Sequence, residues 1–328
     1  MDIQIYILVI LLIVVVGIPI FIYLYYFREP KIGYNAQYEM DLPTDDPPAI
    51  VNAVCAGDPE LMGIPNLNGF RATILDLIDR NYLLLKNRSE NDYLKCLLLE
   101  INPNSDLSTL WKFEVQVLDF LKKHEEDGLI SMDIISESMK HIDDGECAQC
   151  TYKEWKDMFE SNIHAYTDWR NEVKRTLIEG GNFEDAFYDR GTKGLKIFGV
   201  LGTVIALIVL FYFFHSSPFS GMFIFLALIL WFESTVLFLI PERATEKWTA
   251  YGWEYYESWM NFKRYIEDFS LIKEYPPESV KIWDKYLVYG TALGAAKGVK
   301  KGMELLLPES ELKESDIYHC HNYENQKS

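Results

Sequence analysis

Residues 195–240, LKIFGVLGTVIALIVLFYFFHSSPFSGMFIFLALILWFESTVLFLI, decide the fold class of this chain. They contain two apolar runs, Leu195–His215 and Phe219–Ile240, on either side of the short link at 216–218. Each run reaches the roughly 20 residues that a helix needs to cross the hydrocarbon core of a bilayer. We therefore predict a transmembrane helical hairpin at residues 195–240.

A third apolar run opens the chain. Ile3–Phe27 contains no charged residue and is longer than a membrane span requires. A cleaved signal peptide would have a basic N-terminal region, a shorter apolar core and a site with small residues after it. Asp2 stands where the basic residues would be, so we predict an uncleaved transmembrane helix over residues 1–27.

The basic residues beside the three runs predict one orientation. They follow the first run, precede the second and follow the third. These residues are Arg28, Lys31, Arg190, Lys193, Lys196, Arg243 and Lys247. Basic flanks stay on the cytoplasmic side of the membrane. We therefore expect a multi-pass protein of the cell membrane whose N-terminus lies outside and whose bulk and C-terminus lie in the cytoplasm.

The charge balance limits the partners. The formal net charge is −18, and acidic side chains outnumber basic ones across residues 28–196. Such a surface repels the phosphates of nucleic acids. We expect the lipid bilayer and a protein of unidentified kind as partners, no nucleic acid, and homo-oligomer formation as a further option.

A linker and a folded domain are predicted between the first helix and the hairpin. Residues 28–60 are rich in proline and in acidic side chains, which is typical of an extended spacer. The domain predicted at residues 61–194 then begins with a helix, because Phe70, Ile74 and Leu77 recur at helical spacing.

This first helix runs into a β-hairpin pattern. Asn81 is a suitable left-handed terminator for the helix. Tyr82–Lys86 and Tyr93–Ile101 have strand composition, with a polar turn between them. A helix that leads into such a hairpin is typical of a winged helix. Because Arg71 and Arg80 are balanced by neighbouring acids, we expect this fold to bind protein rather than DNA.

Further helices are predicted on both sides of the transmembrane hairpin at residues 195–240. Leu110–His124 and Tyr152–Ile178 each have an apolar face, and a short strand and helix lie between them. Residues 241–308 are predicted to be a cytoplasmic helical region beside the membrane, and residues 309–328 an acidic tail.

The helical region after the hairpin begins with a dense set of aromatic side chains. They are Trp248, Tyr251, Tyr255, Trp259, Phe262 and Phe269. Aromatic residues next to a span often anchor a segment at the lipid headgroups. Ordinary packing explains the pattern equally well, so both interpretations remain open.

Four glycines recur at four-residue spacing in YGTALGAAKGVKKG, residues 289–302. They are Gly290, Gly294, Gly298 and Gly302. Each glycine costs a helix about 0.5–1 kcal/mol relative to alanine. Small residues at this spacing let a second backbone come close. We therefore predict one helix that packs tightly through this row.

Three stretches together resemble the YciQ-like family of predicted membrane proteins, a family with a domain of unknown function. They are FRATILDLIDRNYLLL (70–85), SWMNFKRYIEDFSLIKEYPPESV (258–280) and WDKYLVYGTALGAAKGV (283–299). The resemblance implies an outside N-terminus and no assigned activity. Members usually carry a β-rich extracytoplasmic domain before the first long membrane helix. The present chain begins at that helix, so either this protein lacks the domain or its start is misassigned.

The sequence contains no catalytic pattern. The chain has no phosphate-binding glycine loop, no HExxH and no GxSxG, so we expect neither an enzyme nor a cofactor. Cys147 and Cys150 form one CxxC, a weak metal candidate because structural zinc needs four ligands; two free thiols are the simpler interpretation. Glu233, inside the third run, is either an ion or proton site or a polar contact within the hairpin.

These expectations combine into one interpretation. The fold class is a mainly α membrane protein with three transmembrane helices, a cytoplasmic α+β winged-helix-like domain and a C-terminal cytoplasmic helical segment. The expected function is a membrane-anchored cytoplasmic scaffold or signalling adaptor that binds protein partners. The alternative is an oligomeric channel or transporter accessory subunit with Glu233 in the membrane.

Overall fold

A computed structural model of the chain describes residues 2–22, 24–25, 30–58, 61–86, 97–144, 153–178, 183, 185–189, 192–213, 220–239 and 246–327. The fold is mostly helical with a small sheet. It divides into two compact units. Unit 1 comprises residues 1–33, 59–62 and 185–253, and unit 2 comprises residues 34–58, 63–184 and 254–328.

Helices make up most of the described residues, and the strands are short. The helices are α1 (Asp2–Ile22), α2 (Pro48–Cys55), α3 (Leu67–Asp79), α4 (Lys112–Lys122), α5 (Met132–Asp144), α6 (Lys153–Ile178), α7 (Thr192–Phe213), α8 (Ser220–Leu239), α9 (Ala250–Glu267), α10 (Phe269–Glu274), α11 (Val280–Ala292), α12 (Ala296–Leu306), α13 (Glu309–Glu314) and α14 (Asp316–Lys327). The strands are β1 (Leu83–Leu85), β2 (Leu98–Ile101), β3 (Glu125–Glu126), β4 (Leu129–Ser131), β5 (Phe187–Asp189) and β6 (Glu246–Trp248).

Two helices of unit 1 are long and apolar enough to cross a membrane. Their spans are Lys193–Tyr212 in α7 and Gly221–Leu239 in α8. Most of their large side chains point away from the protein, as the length and composition of a membrane span predict. In α1 the apolar stretch Val9–Ile22 is shorter. The hairpin is therefore present as two apolar helices, whereas the crossing by α1 stays a prediction.

The helices of unit 1 pack through a small apolar cluster and through close approaches between α7 and α8. Leu11 and Val15 of α1 join Phe223 and Leu230 of α8 in the cluster. Between α7 and α8, a Cβ on Gly202 would stand 3.3 Å from the Cβ of Ser234 and closer still to its hydroxyl. Helices without large side chains at the contact can approach in this way.

A two-stranded ladder joins the ends of the hairpin. β5 lies just before α7 and β6 just after α8, and they pair antiparallel with Phe187 opposite Trp248. The Thr249 N–H donates to the Ala186 carbonyl over 3.0 Å. The strands are only three residues long, so the hydrophobic pattern of the sequence did not predict them.

In unit 2, the predicted helix and antiparallel strand pair after residue 66 are confirmed. The Asn66 side chain caps α3 by accepting from the Asn68 N–H, and Asn81 takes the left-handed conformation with φ 61°. β1 then pairs with β2, Leu83 opposite Ile101. The four-stranded sheet has the order β1-β2-β4-β3. The predicted polar turn lies in residues 87–96, outside the described part of the chain.

The core of unit 2 forms where α3, α4 and α6 meet. Phe70 of α3 makes edge-on contacts with Phe120 of α4 and Trp169 of α6, with ring centroids 5.2 and 5.0 Å apart. Val117 and Val173 are fully buried. The apolar faces that the sequence predicts for α4 and α6 are therefore confirmed as core.

The linker predicted at residues 28–60 needs a correction. Residues 48–55 form α2, whose side chains are all buried. Pro48 starts this helix because proline has no N–H to leave unpaired in the first turn. The proline pair that indicated a spacer is therefore a helix start, and the described residues 30–46 form neither helix nor strand.

The domain boundaries 61–194, 241–308 and 309–328 also need a correction. α11 packs on α2 and α3, and α14 packs on α3 and α5. The predicted acidic tail buries Ile317 and Cys320. Residues from both sides of the hairpin thus build a single unit, because the apolar faces of α3 and α11 cover one another.

Candidate functional site

The glycine row spans two helices, so the predicted single helix is wrong. α11 ends at Ala292, and Gly294 takes the left-handed conformation with φ 73°. The N–H of Ala295 donates to the Gly290 carbonyl and that of Gly294 to the Thr291 carbonyl, at 2.6 and 3.1 Å. This pair of bonds is the Schellman arrangement that ends a helix. Gly294 is therefore a helix terminator.

The other three glycines lie against neighbouring groups. A Cβ on Gly298 would stand 3.1 Å from the Cα of Glu267 at the end of α9. A Cβ on Gly302 would stand 2.8 Å from the ring of Trp283. A Cβ on Gly290 would stand 3.2 Å from the Val299 side chain, which is tight but short of a clash. The close approach is tightest at α12.

The segment before α2, which forms neither helix nor strand, is hydrogen-bonded to α9. We call residues 34–46 the strap. The Asn261 side-chain amide donates to the Ala36 carbonyl over 2.7 Å and to the Tyr34 hydroxyl over 3.2 Å. The guanidinium of Arg264 donates to the Gln37 carbonyl over 2.9 Å. Asn261 is almost fully buried, so its amide needs these acceptors.

Two tyrosines of α11 hold the strap farther along. Tyr286 donates its hydroxyl to the Met40 carbonyl, and Tyr289 donates to the Asp46 carbonyl over 2.8 Å. Burial raises the pKa of both hydroxyls above the ordinary value, which keeps them protonated and able to donate. We call Asn261, Arg264, Tyr286 and Tyr289 the clamp.

Two aromatic side chains of α9, Trp259 and Phe262, pack against the tyrosines of the clamp, and we call them the aromatic floor. Trp259 stacks on Tyr289 and Phe262 meets Tyr286 edge-on, with ring centroids 5.0 and 5.1 Å apart. Trp259 and Phe262 are fully buried. Of the two interpretations left open for these aromatic residues, packing inside unit 2 accounts for these two.

A buried asparagine connects three parts of unit 2. Asn52 of α2 donates to the Ala292 carbonyl at the end of α11 and to the Asn66 side chain, over 2.7 and 2.9 Å. It accepts from the Asn66 N–H over 2.8 Å. A Cβ on Gly69 would stand 2.6 Å from the Asn52 oxygen. Sequence reasoning placed Asn52 in a linker and therefore missed it.

Arg80 belongs to an ion-pair cluster. Its guanidinium contacts the nearly inaccessible Glu114 and lies 2.8 Å from the Asp76 carboxylate. Glu114 also accepts from the Trp111 N–H over 2.8 Å. Burial raises the pKa of Asp76 to about 6, although Arg80 opposes the shift. These two carboxylates engage Arg80.

The remaining candidates from the sequence do not come together as a site. Glu233 lies on α8 next to Ser234, and its Oε2 is buried without a hydrogen-bond partner among the described residues. Cys147 and Cys150 lie outside the described residues. Within the described part of the chain, no group of three His, Cys, Asp or Glu side chains could hold a metal ion.

The fold and the clamp define a class: a membrane protein with two apolar helices and a mostly helical unit whose clamp binds the strap of the same chain. Residues 35–303 match the family model described as the predicted membrane protein (DUF2207) C-terminal domain. The chain belongs to this family, whose function is unknown. No curated protein and no solved structure matches the chain. The family match supports the general resemblance found in the sequence.

Proposed function

We propose that this protein is a membrane-anchored scaffold or signalling adaptor whose unit 2 binds other proteins. One observation carries the proposal: unit 2 is assembled from segments on both sides of the α7–α8 hairpin. The chain leaves a compact folded unit, forms two apolar helices and returns to the same unit. Such a hairpin serves as an anchor, and the larger unit is left to make contacts with partners.

The proposal includes a topology. α1, α7 and α8 cross the cell membrane, the N-terminus lies outside, and unit 2 is cytoplasmic, as the positive-inside bias of the flanks favours. An impermeant thiol reagent on intact cells tests this topology. Cys147 and Cys150 should react only after lysis; Cys55 and Cys320 are buried and serve as slow internal controls. Labelling of Cys147 before lysis would show that the orientation is the opposite of the one proposed.

The finer classification is also a proposal. α3 followed by the β1–β2 pair favours the winged-helix type, and the three sequence stretches favour the YciQ-like branch of the family. The acidic charge favours protein over nucleic acid as the partner. The absence of a recognisable catalytic pattern in the sequence favours a binding role over an enzymatic one, with homo-oligomer formation as a further option.

The experiment is cross-linking capture in the native membrane with the full chain. We expect the same protein partners in replicate captures, and their loss when acidic surface residues of unit 2 are neutralised. A chain with the same substitutions that still melts like wild type shows that the fold is intact. Reproducible turnover of a small molecule by the full chain, without stable partners, would overturn the proposal.

A second candidate function has one observation in its favour. Glu233 Oε2 is buried and lacks a hydrogen-bond partner among the described residues. A carboxylate within a membrane span is energetically costly, and such residues often mark an ion or proton pathway or a polar contact. The alternative is an oligomeric channel or transporter accessory subunit with Glu233 in the membrane. Glu233→Gln separates the two: a scaffold keeps its partners, whereas an ion pathway loses flux in vesicles.

A further inference from the structure

The clamp recognises main-chain groups of the strap. Three carbonyls, those of Ala36, Gln37 and Asp46, accept hydrogen bonds from clamp side chains over 2.7 to 2.9 Å, and the Met40 carbonyl accepts a further one. Main-chain carbonyls are present in every polypeptide. A surface that binds these carbonyls can accommodate any segment whose backbone follows the right path, and most side chains of that segment matter little.

The strap itself buries little surface. Tyr38 and Met40 are 37% and 42% exposed, and the residues of the strap form neither helix nor strand. Segments with few buried apolar contacts open at a low free-energy cost, whereas the aromatic floor beneath the clamp is a buried part of the core. No strap residue is among the buried side chains, so its release from the clamp would expose little apolar surface of its own.

Charge and conformation describe what fits the clamp. Arg264 adds a positive charge to a chain that is strongly acidic overall. The strap carries Glu39, Asp41, Asp45 and Asp46, and the ring of Pro43 fixes one backbone angle within it. A segment whose backbone is restricted before it binds loses less conformational entropy on binding.

We propose that the clamp is a binding site for an acidic, proline-containing segment of a partner protein, and that the strap occupies this site as an exchangeable internal ligand. The inference rests on the proposed function, because it names the partner chemistry of the scaffold. The strap follows α1 in the chain, with residues 23–33 between them. A partner that replaces the strap would therefore act on the segment that comes after the first helix.

The internal strap competes strongly with any partner. A short tether holds its ligand at an effective concentration in the millimolar range. A partner segment with the same contacts therefore binds the wild-type protein at least about tenfold more weakly than it would bind an open clamp. A partner that exceeds the strap in affinity, or that is itself tethered to the membrane, overcomes this difference.

The test measures strap release in the purified full chain in detergent. Spin labels are placed by Tyr38→Cys on the strap and Lys281→Cys on α11, with Cys96, Cys147 and Cys150 replaced by Ser. Double electron–electron resonance then reports one narrow distance when the strap is bound. A synthetic peptide of residues 34–47 is the probe. We expect it to convert the narrow distance, saturably, into a broad population.

Matched variants separate the clamp from general damage. Arg264→Ala should broaden the distance without peptide and weaken the effect of the peptide at least about tenfold. Lys263→Ala, the neighbouring residue on α9, should behave as wild type. A peptide in which the four acidic residues become lysine should be less effective. If millimolar peptide leaves the strap bound, or if Arg264→Ala changes nothing, the strap is a fixed part of the fold and the inference is overturned.

This outcome is separate from that of the proposed function. Partner capture by a protein whose strap never exchanges refutes the inference and leaves the scaffold intact. Peptide exchange in a protein that captures no partner in its native membrane refutes the scaffold and leaves the clamp as a peptide site.

Discussion

Gly298 of α12 lies against the carbonyl group of Ile266, near the end of α9. A Cβ at position 298 would overlap this carbonyl, and it would also stand 3.1 Å from the Cα of Glu267. The neighbours are backbone atoms, which cannot move as the end of a flexible side chain does. Glycine at this position therefore sets how closely the two helices approach.

The first prediction follows from this contact. Gly298→Ala should destabilise the protein by about 1–3 kcal/mol, because the added methyl group forces the backbones apart. The apparent melting temperature, followed by tryptophan fluorescence in detergent, measures this change. Gly194→Ala is the matched control: among the described residues, no group beyond its own helix turn lies within 4 Å of a Cβ at this position in α7. Propensity alone favours alanine, so an equal rise in both variants would refute the close contact.

The second prediction concerns Asn52. Asn52→Ala removes three hydrogen bonds and leaves the Ala292 carbonyl and polar groups of Asn66 without their partner. We expect a loss of about 2–4 kcal/mol, since buried polar groups without partners are costly. Asn104→Ala on the exposed surface should change the melting temperature by less than a tenth as much. Equal effects of the two substitutions would show that the network contributes nothing special.

The third prediction concerns pH. Burial raises the pKa of Asp284 to about 6, and Asp79 and Asp316 add to the shift while the Ser315 hydroxyl opposes it. The folded state therefore holds this proton to a higher pH than the unfolded state, whose value is 3.8. The favourable contribution is complete below about pH 4 and is lost as the pH rises through about 6.

Asp284→Asn should remove this dependence. An amide stays neutral, so the variant should gain about 1–2 kcal/mol over wild type at pH 7.5 and little at pH 4.5. Melting curves between these pH values measure the difference. Lys285→Ala, one residue away on α11, controls for a general effect on the helix. A wild-type melting temperature that rises steadily from pH 4.5 to 6.5, with Asp284→Asn parallel to it, contradicts the assignment.

The fourth prediction tests the contact between α7 and α8. Gly202→Ala should destabilise the hairpin, because the new methyl group meets the side chain of Ser234. Ser234→Ala removes the nearest atom, so the double variant should recover part of the loss, with a coupling energy of about 0.5–3 kcal/mol. Gly221→Ala serves as the control, because a Cβ at this position meets no other group of the described residues within 4 Å. Strictly additive effects of the two substitutions would show that Gly202 and Ser234 are not in contact.

The sequence determined the elements whose pattern is long and one-sided. The apolar runs of α7 and α8 need no partner to be recognised, because their length alone matches a bilayer. The core faces of α4 and α6 were predicted for a similar reason, since a helix buries one stripe of side chains. The strand pair after α3 followed from its composition and from the terminator Asn81.

Only the tertiary structure decided where those elements meet. The clamp consists of Asn261, Arg264, Tyr286 and Tyr289, which lie in two helices and bind a segment more than 200 residues earlier in the chain. Local sequence carries no record of such a distant partner. For the same reason α2 was mistaken for a linker and α14 for a tail. Their burial depends on surfaces that α3, α5 and α11 provide only after folding. Gly294 and Gly298 are the same residue type, but one ends a helix and the other allows a close contact, because their surroundings differ.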